Sequence, residues 1–141
     1  MASVIPKQVK KAIVDAWLPA AEAEWKVCLL TSAFPNTLGA YTVYEDLTNE
    51  VPNGSGYTTE GAIITGRATA YVDTYDAYID ADNVSWPTAT FANVRYAVVY
   101  ETTNRKIRGI YDLGAVYSVT SGTFTLQWNT AGLIRVSSTT V

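Results

Sequence analysis

Val94-Arg95-Tyr96-Ala97-Val98-Val99-Tyr100-Glu101 is the stretch on which the fold turns. From Tyr96 to Tyr100 every side chain is apolar or aromatic. An extended chain points alternate residues to opposite faces, so both faces here need cover, as in a strand inside a sheet. β-Branched and aromatic side chains suit such a surface.

Working outward, the downstream chain carries a strand pattern at 107–113 and a second at 123–128. In the latter, Phe124, Leu126 and Trp128 alternate with Thr125 and Gln127. That period of two predicts the first three side chains in the core. Asn129-Thr130-Ala131-Gly132 reads as a turn to a last antiparallel partner at 133–136. Upstream, Trp25-Lys26-Val27-Cys28-Leu29-Leu30-Thr31 predicts a first strand. Further strands are expected at 62–72, broken at Gly66, and at 77–79 and 84–86. Between them, 32–61 is a long connection rich in turn formers, including Pro35-Asn36, Gly39 and Pro52-Asn53-Gly54. A connection of this length in a small domain is usually functional or held by a partner.

Before the first strand, Val9, Ala12, Ile13, Ala16 and Trp17 recur at helical spacing between Pro6 and Pro19. The expectation is therefore a mainly β chain: an antiparallel β-sandwich or jelly roll with one short N-terminal helix at about 6–18, forming one domain over 1–141.

Composition excludes several function classes. The 141 residues suffice for one core, and 48% hydrophobic against 16% charged residues marks a packed protein. A net charge of −3 offers no large basic face for phosphate, so nucleic acid is not an expected partner. No apolar run has the length of a membrane span, and no membrane partner is expected. The segment Met1 to Lys11 is charged and amphipathic rather than a signal peptide, so synthesis in the cytoplasm is expected. One cysteine, Cys28, allows no intrachain disulfide, and its apolar strand context predicts a buried, idle thiol.

The chain contains no histidine. Ser-His-Asp and Cys-His catalysis and Cys/His zinc sites are thereby removed. No phosphate loop, dinucleotide fingerprint or EF-hand spacing appears. The one acidic cluster is Asp73, Asp76, Asp80 and Asp82, whose alternatives are a solvated loop, a Ca²⁺ site or, least of all, a glycosidase pair. No catalytic residue, cofactor or metal ligand is assigned, and an enzyme is not expected. Contact is the remaining reading. Tyr41, Val43, Tyr44 and Leu47 within the long connection supply apolar surface, and Arg105, Lys106 and Arg108 at a hairpin tip supply charge for an acidic partner.

Several stretches, taken in order, resemble a family of small virion structural proteins of tailed phages. They are Leu29-Leu30-Thr31-Ser32 at the end of the first strand, Asn49-Glu50-Val51 running on to Gly56-Tyr57-Thr58, and Asp80-Ala81-Asp82-Asn83-Val84-Ser85-Trp86 followed by Arg95 to Tyr100. Tyr111-Asp112-Leu113-Gly114 and Gly122 to Asn129 with Gly132 complete the set. Where that family often has Gly-Gly, this chain has Glu60-Gly61. The resemblance implies a virion component, most simply a jelly-roll-like capsid cement or decoration subunit. Its partners would be the major capsid protein or other virion proteins and further copies of itself. A head-fibre base, a tail accessory protein or a carbohydrate- or calcium-binding β-sandwich module are the alternatives.

Overall fold

A computed structural model describes residues 24–37, 39–71, 77–130 and 132–136, with residues 8, 9, 12, 15 and 16 before them. The chain is mainly β and antiparallel in every pairing among the described residues, as the sequence led one to expect. The expected helix at 6–18 lies largely outside the described residues; the five described there have helical backbone.

The chain divides into two compact units. The larger comprises Glu24–Ile64 and Val84–Leu126. Its sheet has the order β2-β1-β5-β6, with β1 at Trp25–Thr31, β2 at Ala62–Ile63, β5 at Val84–Glu101 and β6 at Ile107–Leu126. The smaller unit holds β3 at Ala68–Tyr71, β4 at Ala77–Asp80 and β7 at Ile134–Val136, in the order β3-β4-β7.

β1 falls where its residues predicted. Trp25, Val27, Cys28, Leu29 and Leu30 are all fully buried. β5 lies between β1 and β6, and Ala97, Val98, Val99 and Tyr100 are buried on both faces. On one face, Cys28, Leu30, Phe34, Val98 and Tyr100 form a core on which Tyr41, Tyr44, Leu47, Tyr96, Ile107 and Ile110 pack. This is a non-local core, since β1 meets β5 across about half of the sequence.

Two expectations about strands need correcting. The pieces at 84–86 and 94–101 are one strand of 18 residues, and those at 107–113 and 123–128 merge into one of 20 that ends at Leu126. Pro87 and Gly114 lie in the gaps between those expected pieces, and both fall in or beside irregularities that the strands absorb. Thr88, Asn93 and Ser121 take positive φ (53°, 61° and 47°), as does Gly114 (81°). The β5–β6 register shifts repeatedly along this stretch. A bulge inserts a residue and twists the ladder without ending it, and it is one of the few places a strand tolerates proline. The last strand, β7, pairs with β4 and not with the strand before it.

In the smaller unit Ala77, Ile79 and Leu133 are buried, and the Leu133 amide donates to the Ile79 carbonyl at 2.7 Å. Trp128 is half-buried rather than a core residue; its indole donates to the Asp82 carbonyl at 2.9 Å. Phe124, in the larger unit, is also half-buried, edge-on to Phe91 at 5.3 Å.

Candidate interaction surface

The seven contact residues read from sequence come together. The segment 42–44 runs along the start of β6: the Tyr44 amide donates to the Arg105 carbonyl, and the Ile107 amide to the Thr42 carbonyl, both at 2.9 Å. Val43 and Lys106 form an antiparallel bridge. The Arg105 guanidinium lies over the Tyr44 ring at 4.5 Å and pairs with Glu45 and, at 2.9 Å, with Glu60. Arg108 follows on β6, half-buried. Tyr41, Tyr44 and Leu47, however, turn their apolar surface onto the unit's own core. What this face shows to solvent is polar: Thr42, Glu45, Asp46, Thr103, Asn104 and Lys106 are exposed.

The chain builds this arrangement with local devices. The Asp46 carboxylate accepts from the Thr42 and Val43 amides at 2.8 and 3.1 Å, closing a 3₁₀ turn at Tyr44–Asp46. At the hairpin tip Arg105 has φ 60°. The Glu101 carboxylate, only 3% exposed, accepts from the amides of Thr103, Asn104 and Lys106 at 2.8, 2.9 and 3.3 Å. Burial by itself would raise the Glu101 pKa, but those amides outweigh it and the carboxyl is held below its ordinary value.

Glu50 fastens the rest of the connection. Its carboxylate accepts from the Tyr44 hydroxyl, from the Tyr57 hydroxyl at 2.6 Å and from the Glu60 amide at 2.8 Å. The Tyr57 oxygen in turn accepts from the Leu29 amide at 3.0 Å, tying the connection to β1. Burial, first of all, pushes the phenols of Tyr44 and Tyr57 well above their usual range, so both remain donors. The Cys28 thiol is pushed up likewise, by burial and then by the nearby Glu50 charge. It is an inert core group, as its context predicted.

Glu60 and Gly61 both have left-handed backbone, at φ 79° and 80°. Gly61 needs its missing side chain: a Cβ there would overlap the Val27 carbonyl oxygen and stand 2.7 Å from the Cys28 Cα. Glu60 is a residue that L side chains make costly. Its compensation is the pairing with Arg105 and, at 3.6 Å, with Lys26. Those partners hold its carboxyl below the ordinary range, the Arg105 hydrogen bond first.

The other half of the β5–β6 hairpin is of a different kind. Beyond the two-pronged Arg95–Asp112 pair, at 2.8 and 3.0 Å, neither 84–94 nor 113–126 carries a charge. One side of this ribbon is covered: the Thr90 amide donates to the Ser55 carbonyl at 2.8 Å, and Tyr57 packs on Trp86 and Phe91. β6, at the sheet's edge, has no further strand among the described residues. Val116 is 48% and Tyr117 45% exposed. The sequence reading missed this surface, and the absence of charge over 113–126 was the signal that could have found it.

Elsewhere, a cleft of about 380 Å³ opens between 52–55 and 90–93. It offers amides and hydroxyls, but its aromatic residue, Phe91, is buried. Of the acidic cluster, Asp73 and Asp76 lie outside the described residues. Asp82 accepts from the Thr65 hydroxyl at 3.0 Å and Asp80 from the Ala81 amide at 2.9 Å. Among the described residues no three acidic or thiol side chains gather as a metal site. No family model matches this chain, and neither a curated protein nor a solved structure is found similar to it.

Proposed function

We propose that this chain is a structural protein of a tailed-phage virion, a capsid cement or decoration subunit that acts through protein contacts. The observation that carries this reading is where its reactive groups go. Glu45, Glu50, Glu60, Glu101, Arg105, Tyr44 and Tyr57 are joined to one another or to backbone amides in fastening 41–61 and the hairpin tip. Such a network makes a loop rigid, which lowers the entropic cost of docking it on a partner. The ordered resemblance along the sequence supplies the virion context. In this reading the polar rim around Glu45, Asp46 and Lys106 meets the major capsid protein or another virion protein, with Arg105 and Arg108 behind it.

The test is quantitative mass spectrometry of purified particles from the phage that encodes the chain. A cement subunit is present at a copy number comparable to that of the major capsid protein. A copy number matching a vertex or tail ring moves the protein to a head-fibre base or tail accessory role. Its absence from particles overturns the reading.

A further inference from the structure

We propose that Asn53-Gly54 is a site of self-modification that the fold holds in check: Asn53 loses its side-chain amide as ammonia when the turn at 54–57 opens, and keeps it while the turn is closed. The inference stands apart from the virion reading, because the chemistry needs only this chain and water.

Asn53 is the one asparagine of the chain that a glycine follows. Both residues are exposed. Glycine has no Cβ to shield its amide nitrogen, and it reaches backbone conformations closed to other residues. In an open chain that nitrogen can swing onto the carbonyl carbon of the Asn53 side chain. A bond forms between Gly54 N and Asn53 Cγ, the Cγ–Nδ2 bond breaks, and the Gly54 amide proton leaves with that nitrogen as ammonia. Water then opens the five-membered imide at either carbonyl, giving aspartate or its β-linked isomer.

The folded structure engages both partners of this reaction elsewhere. The Gly54 amide donates to the Tyr57 carbonyl at 2.7 Å, and the Tyr57 amide returns a bond to the Gly54 carbonyl at 3.1 Å. Between them Ser55 and Gly56 have φ 50° and 88°, the pattern of a two-residue hairpin turn of type I′. The Asn53 Oδ1 accepts from the Thr59 amide at 3.0 Å, a further tie on the side chain that has to move. The turn itself is pinned, since the Thr90 amide donates to the Ser55 carbonyl at 2.8 Å and Tyr57 is only 2% exposed. Reaction therefore waits on local opening, whose free energy sets how often the site is reactive. The β-linked product has one more backbone carbon between the Asn53 Cα and Gly54. That takes Gly54 out of register with Tyr57, so a chain once opened and modified is marked at this turn.

The test is peptide-mapping mass spectrometry of the purified full chain, incubated at mildly alkaline pH both folded in buffer and unfolded in guanidinium chloride. Asn36 and Asn49, followed by Thr37 and Glu50, are internal references and are expected to stay amides. Conversion at Asn53 is expected to be about tenfold or more slower in the folded chain than in the unfolded one. Gly56→Ala places a Cβ 2.8 Å from the Ala89 Cα at a left-handed φ, which forces the turn open. It is expected to convert faster than wild type in buffer, with circular dichroism reporting that the β fold persists. Should that variant unfold, the wild-type comparison decides alone. Equal rates in the folded and unfolded wild type, no conversion at Asn53 in guanidinium chloride, or a folded Gly56→Ala that converts no faster than wild type overturns the proposal.

Discussion

The two ends of the β5–β6 hairpin are built from the same two strands and differ in almost everything else. At the tip end, β1 covers one side of β5 and residues 42–44 cover the outer side of β6. Charges are dense there, and Glu45, Asp46, Glu50, Glu60, Glu101 and Arg105 are paired or hydrogen-bonded. Past Arg95 and Asp112 the charges stop, and among the described residues no further strand lies on the outer edge of β6. The tip end is charged and cross-linked; the ribbon end is uncharged, with Ser, Thr and Gly filling half of 113–126 and Val116 and Tyr117 half exposed. A hydrophobic patch becomes informative through this kind of contrast, since scattered apolar residues on a surface are ordinary.

The contrast can be broken first at Gly61. Gly61→Ala forces a side chain against Val27 and Cys28 from a backbone that disfavours one. The expected cost is about 2–6 kcal/mol, from left-handed strain and overpacking together, read as a loss of the urea midpoint. It displaces the connection from β1, so the tip end should come to resemble the ribbon end in hydrogen exchange.

Next in size is a matched pair. Leu30→Ala, in the core beneath the connection, is expected to cost about 2–5 kcal/mol in chemical denaturation. Val116→Ala is expected to fall within about 0.5 kcal/mol for the lone chain. Equal costs would show that the ribbon is as well packed as the core and would erase the distinction.

Glu101→Gln keeps the shape of the tip and removes the charge that its three amides address. The expected loss is about 1–3 kcal/mol at neutral pH. Glu101 and Glu60 both have folded pKa values below the ordinary 4.5. Their contribution is therefore complete above that value and is lost as pH falls through the folded values. Thermal melts below about pH 4.5 should show the wild type losing stability with acid more steeply than Glu101→Gln.

The smallest effect is expected at Glu60. Glu60→Gly relieves the left-handed backbone and removes half-exposed ion pairs, two changes of about 1 kcal/mol or less with opposite signs. The melting midpoint should barely move in low salt and should rise relative to wild type in high salt, where the ion pairs are screened.

The legible parts of the fold were those with a strong local pattern. β1 was readable at both ends because its apolar run is bounded by a charged residue before it and turn formers after it. The continuity of β5 and β6 was not, because Pro87 and Gly114 look like ends when the register shifts that accommodate them depend on the partner strand. The seven contact residues were visible as two groups, but their union was hidden: nothing local tells Val43 that it will bridge Lys106. Glu50 and Glu60 gave no sign of their fastening role, since a carboxylate in a polar stretch looks solvated until tyrosine hydroxyls, backbone amides and Arg105 converge on it.

The five-residue turn that Glu101 organises also sets an order of events. Closing it brings Tyr100 to Ile107 over a short span, whereas pairing Trp25 with Glu101 closes more than half the chain. On loop-closure entropy alone the longer closure costs about 2 kcal/mol more. The hairpin is therefore expected to zip from its tip before β1 arrives, since the tip is where a folding nucleus is least expensive to assemble. Replacing Glu101 should slow folding, while truncating β1 side chains should chiefly hasten unfolding. The buried carboxylate would then be a timing device as well as a fastener.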